Sequence, residues 1–278
     1  MGRLQHFPRS CRYSNLTFLP SRSIFSLEFL PKLLEVGTTA KMDEVAPSDK
    51  VGQMAYERNR SCGLALFIDS IVIEKAEEPV VKFDADFKKA FDTVHRGLAI
   101  ANLHRKTGCG RLLESWFEGR VYKFGDKTRG LDFNCGGPPG TLVGVKIFSN
   151  KIELNDAMAI GGRHNTWLYN HWYADDTSPS ALVSKLYSGE LNCRIAESVA
   201  WANEVHMKYH GVGTKKGPVI QYLRREDDPE VDLNHTNKPV FDGESIPVES
   251  SVKRLGIHRV SELDSSKMSA YQRKYRYH

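Results

Sequence analysis

The pattern of hydrophobic and polar residues alternates between helical and strand spacing along most of the chain. Apolar residues three or four positions apart give a helix one hydrophobic face, and this spacing identifies most of the predicted helices. Helices are predicted at residues 61–74, Phe87–Arg105, Leu112–Phe117, 141–158 and Glu190–Met207. The first of these is apolar on nearly every side, so its pattern indicates a buried helix and leaves a strand as the alternative.

Shorter apolar runs, bounded by turn residues, predict strands. They lie at Val80–Asp86, Trp167–Tyr173, Val219–Leu223 and within Val240–Ile257, where Asp242-Gly243 is a hairpin turn signal. Successive side chains of a strand point to opposite faces. Lys82, Asp84 and Asp86 therefore share one face of the first strand, which is an unusually polar face for a strand in a core.

The composition is that of a protein with a core and a mildly basic surface. Hydrophobic residues make up 40% of the 278 positions, and no apolar run is long enough to predict a membrane span. Lys and Arg exceed Asp and Glu by 39 to 34, which gives a net charge of +5. This balance is compatible with binding to a phosphate backbone but does not require it.

The cysteines and the N-terminus bear on the cellular compartment. The five cysteines are isolated and include no CxxC pair, which argues against a zinc site and favours a reducing, intracellular compartment, the nucleus or the cytoplasm. The first 27 residues hold several arginines and no acid, as in transit peptides. Because Pro8 and Pro20 interrupt them, we expect residues 1–21 to be a disordered or non-native leader, with mitochondrial targeting as the alternative.

The tetrapeptide Tyr173–Asp176 places two carboxylates side by side after an aromatic stretch. Burying adjacent like charges costs free energy unless a cation neutralises them. Asp86, at the end of the acidic strand, supplies a third carboxylate for a hard-oxygen site that suits Mg²⁺. Such sites serve nucleotidyl transfer, although the Asp pair alone fits a surface turn equally well.

Several stretches, in order along the chain, resemble the reverse transcriptase domain of non-LTR (LINE-like) retrotransposons. Phe83–His95 resembles the first catalytic motif of that family and Tyr173–Thr177 the third. Gly136–Gly144 is similar to its glycine-proline loop, and Lys253–Ile257 to the hairpin that grips the primer. The order of these motifs makes the resemblance far more specific than any one of them.

The resemblance implies an α+β fold, namely a polymerase right-hand palm with an antiparallel sheet flanked by helices, partial fingers and no complete thumb. It covers about residues 22–260, so that a basic tail, 261–278, ends before a thumb. The implied activity is RNA-directed DNA polymerisation with an RNA template, a DNA primer and dNTPs as partners, and with no membrane. Asp86, Asp175 and Asp176 are the implied catalytic and metal-binding residues, with two Mg²⁺ ions or with Mn²⁺.

The resemblance also implies contacts with the nucleotide or the template. These are assigned to Phe87, Phe91, Gly137, Pro138, Gly140 and Arg60. Phe91 matches the aromatic residue that rejects a 2′-hydroxyl, with a core position as the alternative. The alternative interpretation of the glycine-proline loop is a simple turn without a binding role. The alternative interpretation of Arg60 is a charged side chain exposed to solvent. Asp84 is expected to lie in solvent or just behind the metal ligands.

Three departures from the family pattern qualify the implied activity. Pro139 stands where the family has Gln, and Pro179 lies where an apolar return strand is expected. Gly213 occupies the position of a lysine, for which Lys215 and Lys216 are the nearest replacements. A catalytically inactive remnant that at most binds nucleic acid is therefore the alternative. An RNA-templated RNA polymerase fits less well, because Phe91 lies where such enzymes usually have Asp or Asn.

Overall fold

The computed structural model places helices and strands in two compact units. One unit comprises Met1–Asp49 and Lys89–Leu154, and the other comprises Lys50–Lys88 and Asn155–His278. We call them the first and the second unit. The structure describes residues 2–6, 23–27, 29–45, 53–57, 59–118, 121–124, 127–130, 136–137, 140–152, 158, 166–225 and 228–260.

Helices occur in both units, and the longest are α1, α2 and α8. Their bounds in chain order are α1 (Phe29–Val45), α2 (Cys62–Lys75), α3 (Ala90–Thr93), α4 (Arg96–Thr107), α5 (Gly110–Phe117), α6 (Leu142–Ile152), α7 (Val183–Tyr187) and α8 (Glu190–Glu204).

The strands are short, as expected for a sheet interrupted by turns and polar residues. In chain order they are β1 (Gly2–His6), β2 (Ser23–Leu27), β3 (Val80–Asp86), β4 (Val121–Phe124), β5 (Lys127–Gly130), β6 (Trp167–Tyr169), β7 (Trp172–Tyr173), β8 (Asp176–Thr177), β9 (Ser180–Leu182), β10 (Val219–Leu223), β11 (Val240–Phe241), β12 (Glu244–Ser245), β13 (Ser251–Arg254) and β14 (Ile257–Val260).

The first unit combines a four-stranded sheet with helices. Its strand order is β2-β1-β4-β5, in which β1 pairs parallel to β4. Helices α1, α4 and α5 pack with α6 or with one another. The buried Glu35 of α1 accepts a hydrogen bond from the Val143 amide at the start of α6 (3.0 Å), which satisfies one of the free amides of that helix. Strand β1 lies within the expected leader and pairs antiparallel with β2.

The second unit is built on a sheet in which β3 is central. The strand order is β6-β9-β3-β8-β7, and β10 pairs with the other edge of β3. The named strand pairs of this sheet are antiparallel. All seven residues of β3 are buried, so both of its faces contribute to the interior. The protein is thus a mixed α+β fold with an antiparallel sheet and helices, as the α+β prediction requires.

Several predicted elements are confirmed. The bounds of β3 and β10 agree with prediction to the residue, and α8 forms within its predicted stretch, whereas α5 begins at Gly110, two residues before the predicted start. Residues 61–74 form a helix, although it is not buried throughout, because Phe67 is 62% exposed. The Asp242-Gly243 turn has positive φ at both positions, as a two-residue hairpin requires. Helix α6 ends at Ile152, and residues 153–157 lie outside the described part of the chain.

The predicted helix Phe87–Arg105 is wrong as one element. Lys89 has a left-handed backbone (φ 52), and Val94 leaves the helical region with ψ 123, so α3 is a single turn. A new helix then begins because the His95 ring accepts a hydrogen bond from the Leu98 amide (3.2 Å) and caps α4.

The strand predicted at Trp167–Tyr173 is also divided, into β6 and β7. Asn170 and His171 lie between them and are buried and polar. The Asn170 amide donates to the Met158 carbonyl (2.6 Å), and the His171 carbonyl accepts from the Ser178 amide (3.2 Å). The bond between Ser178 and His171 follows the register of the β7–β8 pair, and the bond to Met158 holds Asn170 at the break.

Pro179 interrupts the return strand, as its position in the sequence predicts. The chain there forms two short strands, β8 and β9, which pair with opposite ends of β3. The carbonyl of Pro179, between them, still accepts a hydrogen bond from the Phe83 amide (3.1 Å). The sheet therefore tolerates the proline, because its missing amide falls at a break between strands.

Candidate functional site

The three predicted acidic residues converge at one end of the sheet in the second unit. Antiparallel pairing of β3 with β8 sets Asp86 directly opposite Asp176. Residues directly opposite in an antiparallel pair have Cβ atoms about 5 Å apart. Asp175 lies in the two-residue turn between β7 and β8. It is close enough to Asp86 for the Asp86 charge to raise the pKa of Asp175. Asp86, Asp175 and Asp176 are called the acidic cluster below.

The turn that carries Asp175 is held by a glutamine distant in sequence. Ala174 adopts a left-handed backbone (φ 58), a conformation that costs a non-glycine residue about 1–2 kcal/mol. The buried Gln53 side chain accepts hydrogen bonds from the Ala174 amide (3.2 Å) and the Ala55 amide (3.0 Å). The Met54 amide donates to the Trp172 carbonyl (2.7 Å). The segment around Gln53 therefore fixes the turn.

Burial of carboxylates dominates the electrostatics of the acidic cluster, and the like charges of its members add to the effect. Burial, reinforced by the charges of Asp86 and Asp176, raises the pKa of Asp175 to about 6. Burial also raises the pKa of Asp176, against the opposing charge of Arg254, and Asp86 adds to the rise. Oδ1 of Asp86 is buried and has no hydrogen-bond partner among the described residues. The cluster thus has a deficit of positive charge.

One lysine supplies part of the missing positive charge. Lys216 Nζ donates to Asp86 Oδ2 and forms an ion pair with it. It lies in a tight turn in which a Cβ on Gly217 would come within 2.4 Å of the Gly211 carbonyl oxygen. Of the two lysines near the expected position at Gly213, Lys216 is the one with a contact to the cluster. Its side chain is half exposed, so it can leave Asp86 without being buried elsewhere.

The carboxylate oxygens of the acidic cluster are suitable ligands for a hard divalent cation, but they are not already arranged around a metal-binding position. Three carboxylates, one of them with a buried and unsatisfied oxygen, are the ligand type that Mg²⁺ and Mn²⁺ prefer. Within the described residues, however, no group of three or more His, Cys, Asp or Glu side chains is arranged to hold a metal ion. The Lys216 ammonium is paired with the other oxygen of Asp86, Oδ2.

Phe87 is a core residue, and its assignment to the nucleotide or template is wrong. The side chain is 1% exposed. Its ring stacks on Tyr209 (4.0 Å between centroids) and on Trp172 (6.1 Å). An aromatic ring enclosed in this way has no surface for a base or a sugar. It links the end of β3 to β7 and to the chain after α8 instead.

The glycine loop in the first unit makes its close approaches to the protein's own backbone. The Gly137 amide donates to the Phe91 carbonyl (2.8 Å), and a Cβ at Gly137 would lie 2.9 Å from the Gly144 carbonyl oxygen. Gly140 is exposed and has φ 88. Phe91 is half-buried and stacks on Phe148 (4.6 Å). The core alternative for Phe91 therefore has direct support, and Pro138 lies outside the described residues.

Arg60 and Asp84 have structural partners. Arg60 Nη1 donates to the Gln53 carbonyl (2.5 Å) and so supports the segment that holds the turn. Asp84 is 6% exposed and forms ion pairs with Arg254 (3.5 Å) and Arg259, so its placement in solvent is wrong. Sequence reasoning missed the role of Gln53, because no local pattern marks a glutamine that caps a distant turn.

Comparisons with known proteins identify the fold. The structure is similar to apo telomerase from Candida tropicalis truncated from its C-terminal domain, with a TM-score of 0.55 and 10% identity over 94% of this chain and 53% of that one. It is also similar to telomerase from Candida tropicalis in complex with the TWJ fragment of telomeric RNA, with a TM-score of 0.53 and 10% identity over 88% and 43%. The chain spans about half the length of these structures.

The structural similarity is confined to the fold. No protein-family model and no curated protein matches the sequence. At the level of the fold, the expected likeness to a reverse transcriptase is confirmed, since telomerase is a reverse transcriptase. No helix in the described part of the chain is long and apolar enough to cross a membrane.

Proposed function

We propose that the protein is a nucleotidyl transferase of the reverse transcriptase class, with RNA-directed DNA polymerisation of a LINE-like retroelement as its reaction. The observation that carries this proposal is the convergence of Asp86, Asp175 and Asp176 at one end of an antiparallel sheet. The order of the sequence motifs and the telomerase-like fold support it. In this proposal the second unit is the core of a polymerase palm, and the first unit contributes partial fingers.

The acidic cluster would hold Mg²⁺, or Mn²⁺ in its place. When bound, two such ions would supply activation of a primer 3′-hydroxyl and neutralisation of charge on a pyrophosphate leaving group. The chain's own contribution is to fix the carboxylates: Gln53 holds the turn with Asp175, and β3 holds Asp86 opposite Asp176. The partners are an RNA template, a DNA primer and dNTPs, and the compartment is intracellular.

A second candidate function is a catalytically inactive remnant that binds nucleic acid through its basic surface. The observation in its favour is that Lys216 is paired with Asp86, where an active polymerase needs a metal ion. The absence of a preformed three-ligand group in the described residues points the same way. The net charge of +5 serves either function, because both require contact with phosphates.

Primer extension separates the two candidates. The assay uses poly(rA)/oligo(dT) with Mg²⁺ or Mn²⁺ and compares the wild-type protein with Asp175→Ala. The enzyme proposal requires dTTP incorporation that is at least about a hundredfold above the variant, since electrostatic stabilisation at such sites contributes two to three orders of magnitude. Incorporation no higher than that of Asp175→Ala, together with salt-sensitive RNA binding, would instead establish the remnant. Comparison of dNTPs with rNTPs tests the assignment to DNA synthesis.

A further inference from the structure

Helix α1 of the first unit turns its apolar residues toward solvent and its polar residues toward the protein. Its buried residues are Glu35, Thr38, Thr39 and Met42. Its large apolar side chains are instead 45–79% exposed, and they are Phe29, Leu30, Leu33, Leu34 and Val36. A helix on the surface of a protein normally has the opposite arrangement, with its apolar stripe facing the core. The outward face of α1 therefore has the character of an interface.

Polar bonds hold the inward face of α1 against α6. Glu35 accepts a hydrogen bond from the Val143 amide, and Asp43 forms an ion pair with Lys146. The hydroxyls of the two buried threonines donate to carbonyls of α1 itself, at 2.7 and 3.0 Å. Such bonds contribute about 0.5–1.5 kcal/mol each, whereas packing of an apolar face supplies most of the stability of a helix. The contact with α6 therefore leaves the apolar face of α1 available to another partner.

The exposed residues of α1 have the spacing of a helix-pairing seam. Phe29, Leu33, Val36 and Ala40 follow one another at intervals of four, three and four residues, as in a coiled coil. A Cβ on Gly37, beside this seam, would meet no atom within 4 Å, so a second helix can approach closely there. We call this surface the α1 face, and its members are Phe29, Leu30, Leu33, Leu34, Val36, Gly37 and Ala40.

The charges at the two ends of α1 are also the reverse of what the helix dipole favours. The first turn has no acidic residue and the last turn has no basic residue. The last turn instead contains Asp43 and Glu44, which remain more than half exposed although each is paired with a lysine. Carboxylates stabilise a helix near its N-terminus and destabilise it near its C-terminus. These two carboxylates would therefore be better placed beside the N-terminus of a second helix.

We propose that the α1 face is a homodimer interface, in which α1 of one copy pairs antiparallel with α1 of a second copy. Pairing about the midpoint of the seam sets Phe29 of each copy against Ala40 of the other, so that a large side chain meets a small one. It also places the acidic last turn of each helix at the N-terminal end of the other. A second copy of the chain thus complements both the apolar face and the end charges.

A membrane surface fits the α1 face less well than a second copy does. Helices that lie in a membrane interface are rich in Lys and Arg on their polar side, which attracts anionic lipid. The two lysines of α1, Lys32 and Lys41, are both paired with glutamates of the same helix. Together with Asp43, these glutamates leave α1 with a net negative charge. The electrostatic part of membrane binding is therefore unfavourable for this helix.

The size of the α1 face sets the expected affinity. Its five large side chains expose on the order of 500 Å² of apolar surface, which is as much as the largest patch on a typical monomer. Two copies would bury about 1,000 Å² between them, an area at the low end for specific interfaces. We therefore expect a weak, reversible dimer with a Kd of roughly 1–100 µM.

Sedimentation equilibrium of the full chain, without nucleic acid, tests the dimer. Phe29→Ser should weaken association about a hundredfold, because each dimer loses two buried rings. Phe67→Ser is the matched control, since Phe67 is an exposed phenylalanine of the second unit (62%), and it should leave the Kd unchanged. Ala40→Glu keeps a good helix former and places a charge in the seam, so it should also abolish the dimer. Unchanged association in Phe29→Ser and Ala40→Glu would overturn the proposal.

Cross-linking tests the antiparallel arrangement. Phe29→Cys and Ala40→Cys copies are mixed at millimolar concentration and treated with a short bis-maleimide, and the linked peptides are identified by mass spectrometry. We expect links between the two introduced cysteines, whereas links of Phe29→Cys to itself would refute antiparallel pairing.

Two further outcomes would also overturn the proposal. One is a wild-type protein that stays monomeric at millimolar concentration. The other is flotation of the wild-type protein, but not of Phe29→Ser, with phosphatidylserine-containing vesicles, which would assign the α1 face to a membrane. These measurements require no catalysis, so their results are independent of the proposed function.

Discussion

Asp175→Asn is expected to stabilise the protein in the absence of divalent cations. Burial and two neighbouring carboxylates raise the pKa of Asp175 from 3.8 to about 6. Between these values the folded protein keeps a proton that the unfolded chain has released. Stability therefore falls as the pH rises from about 4 to about 6, and the loss persists at neutral pH. Asparagine has a similar shape and carries no charge, so it avoids this loss.

The size of the gain follows from the pKa. The difference between 3.8 and about 6 is about 2.2 pH units, which corresponds to about 3 kcal/mol at 1.36 kcal/mol per unit. Asp86 and Asp176 share the repulsion, and Lys216 offsets part of it, so the single substitution recovers less than the whole. We expect the free energy of unfolding to rise by about 1–3 kcal/mol at pH 7.5. The gain should vanish near pH 4.

Urea unfolding, followed by tryptophan fluorescence in the presence of a chelator, provides the measurement. Asp242→Asn is the matched control, because Asp242 is exposed in a left-handed turn position that asparagine also adopts. Adding Mn²⁺ should reverse the order, since a ligand at a thousand times its Kd stabilises the wild-type protein by about 4.1 kcal/mol. A variant that is less stable at pH 7.5, or a gain that is independent of pH, would contradict the account of crowded carboxylates.

Two other substitutions test the surroundings of the acidic cluster. Lys216→Gln should tighten Mn²⁺ binding about tenfold, measured by electron paramagnetic resonance, because the Lys216 ammonium competes with the metal ion for Asp86. Lys215→Gln is the control. Equal Mn²⁺ affinities of Lys216→Gln and the wild-type protein would show that Lys216 does not compete with the metal ion. Phe87→Ala should lower the free energy of unfolding by about 3–5 kcal/mol in urea, because it empties a stacked aromatic core. A loss below about 1 kcal/mol would show that Phe87 is not a core residue.

The parts of the fold that sequence reasoning predicted well are those with a strong local pattern. The short apolar-rich runs at Val80–Asp86 and Val219–Leu223, bounded by turn residues, predict β3 and β10 to the residue. The stripe of Leu191 and Ile195 predicts α8 in the same way. The approach of the Asp175-Asp176 turn to Asp86 also follows from placing them at the ends of neighbouring antiparallel strands, and the register sets Asp86 opposite Asp176.

The features that sequence reasoning missed depend on contacts distant in sequence. Nothing in the local pattern predicts the left-handed Lys89, since lysine has no preference for that conformation, and the helix stripe continues across it. Phe87 belongs to that apolar stripe, and the two rings that enclose it, Tyr209 and Trp172, lie far along the chain. Gln53 is recognisable as a turn cap only when Ala174 is beside it.

Asp84 and Asp86 show why an acidic strand does not itself define a metal site. Both lie on one face of β3, two residues apart, and the sequence pattern treats them alike. Asp84 is neutralised by Arg254 and Arg259, whereas Asp86 meets two more carboxylates and a single half-exposed lysine. A divalent cation therefore has a reason to bind at Asp86 and none at Asp84, because only Asp86 belongs to a group with uncompensated negative charge. The positive charges that tertiary structure brings to each carboxylate decide which one can bind metal and which one pairs with the arginines of β13 and β14.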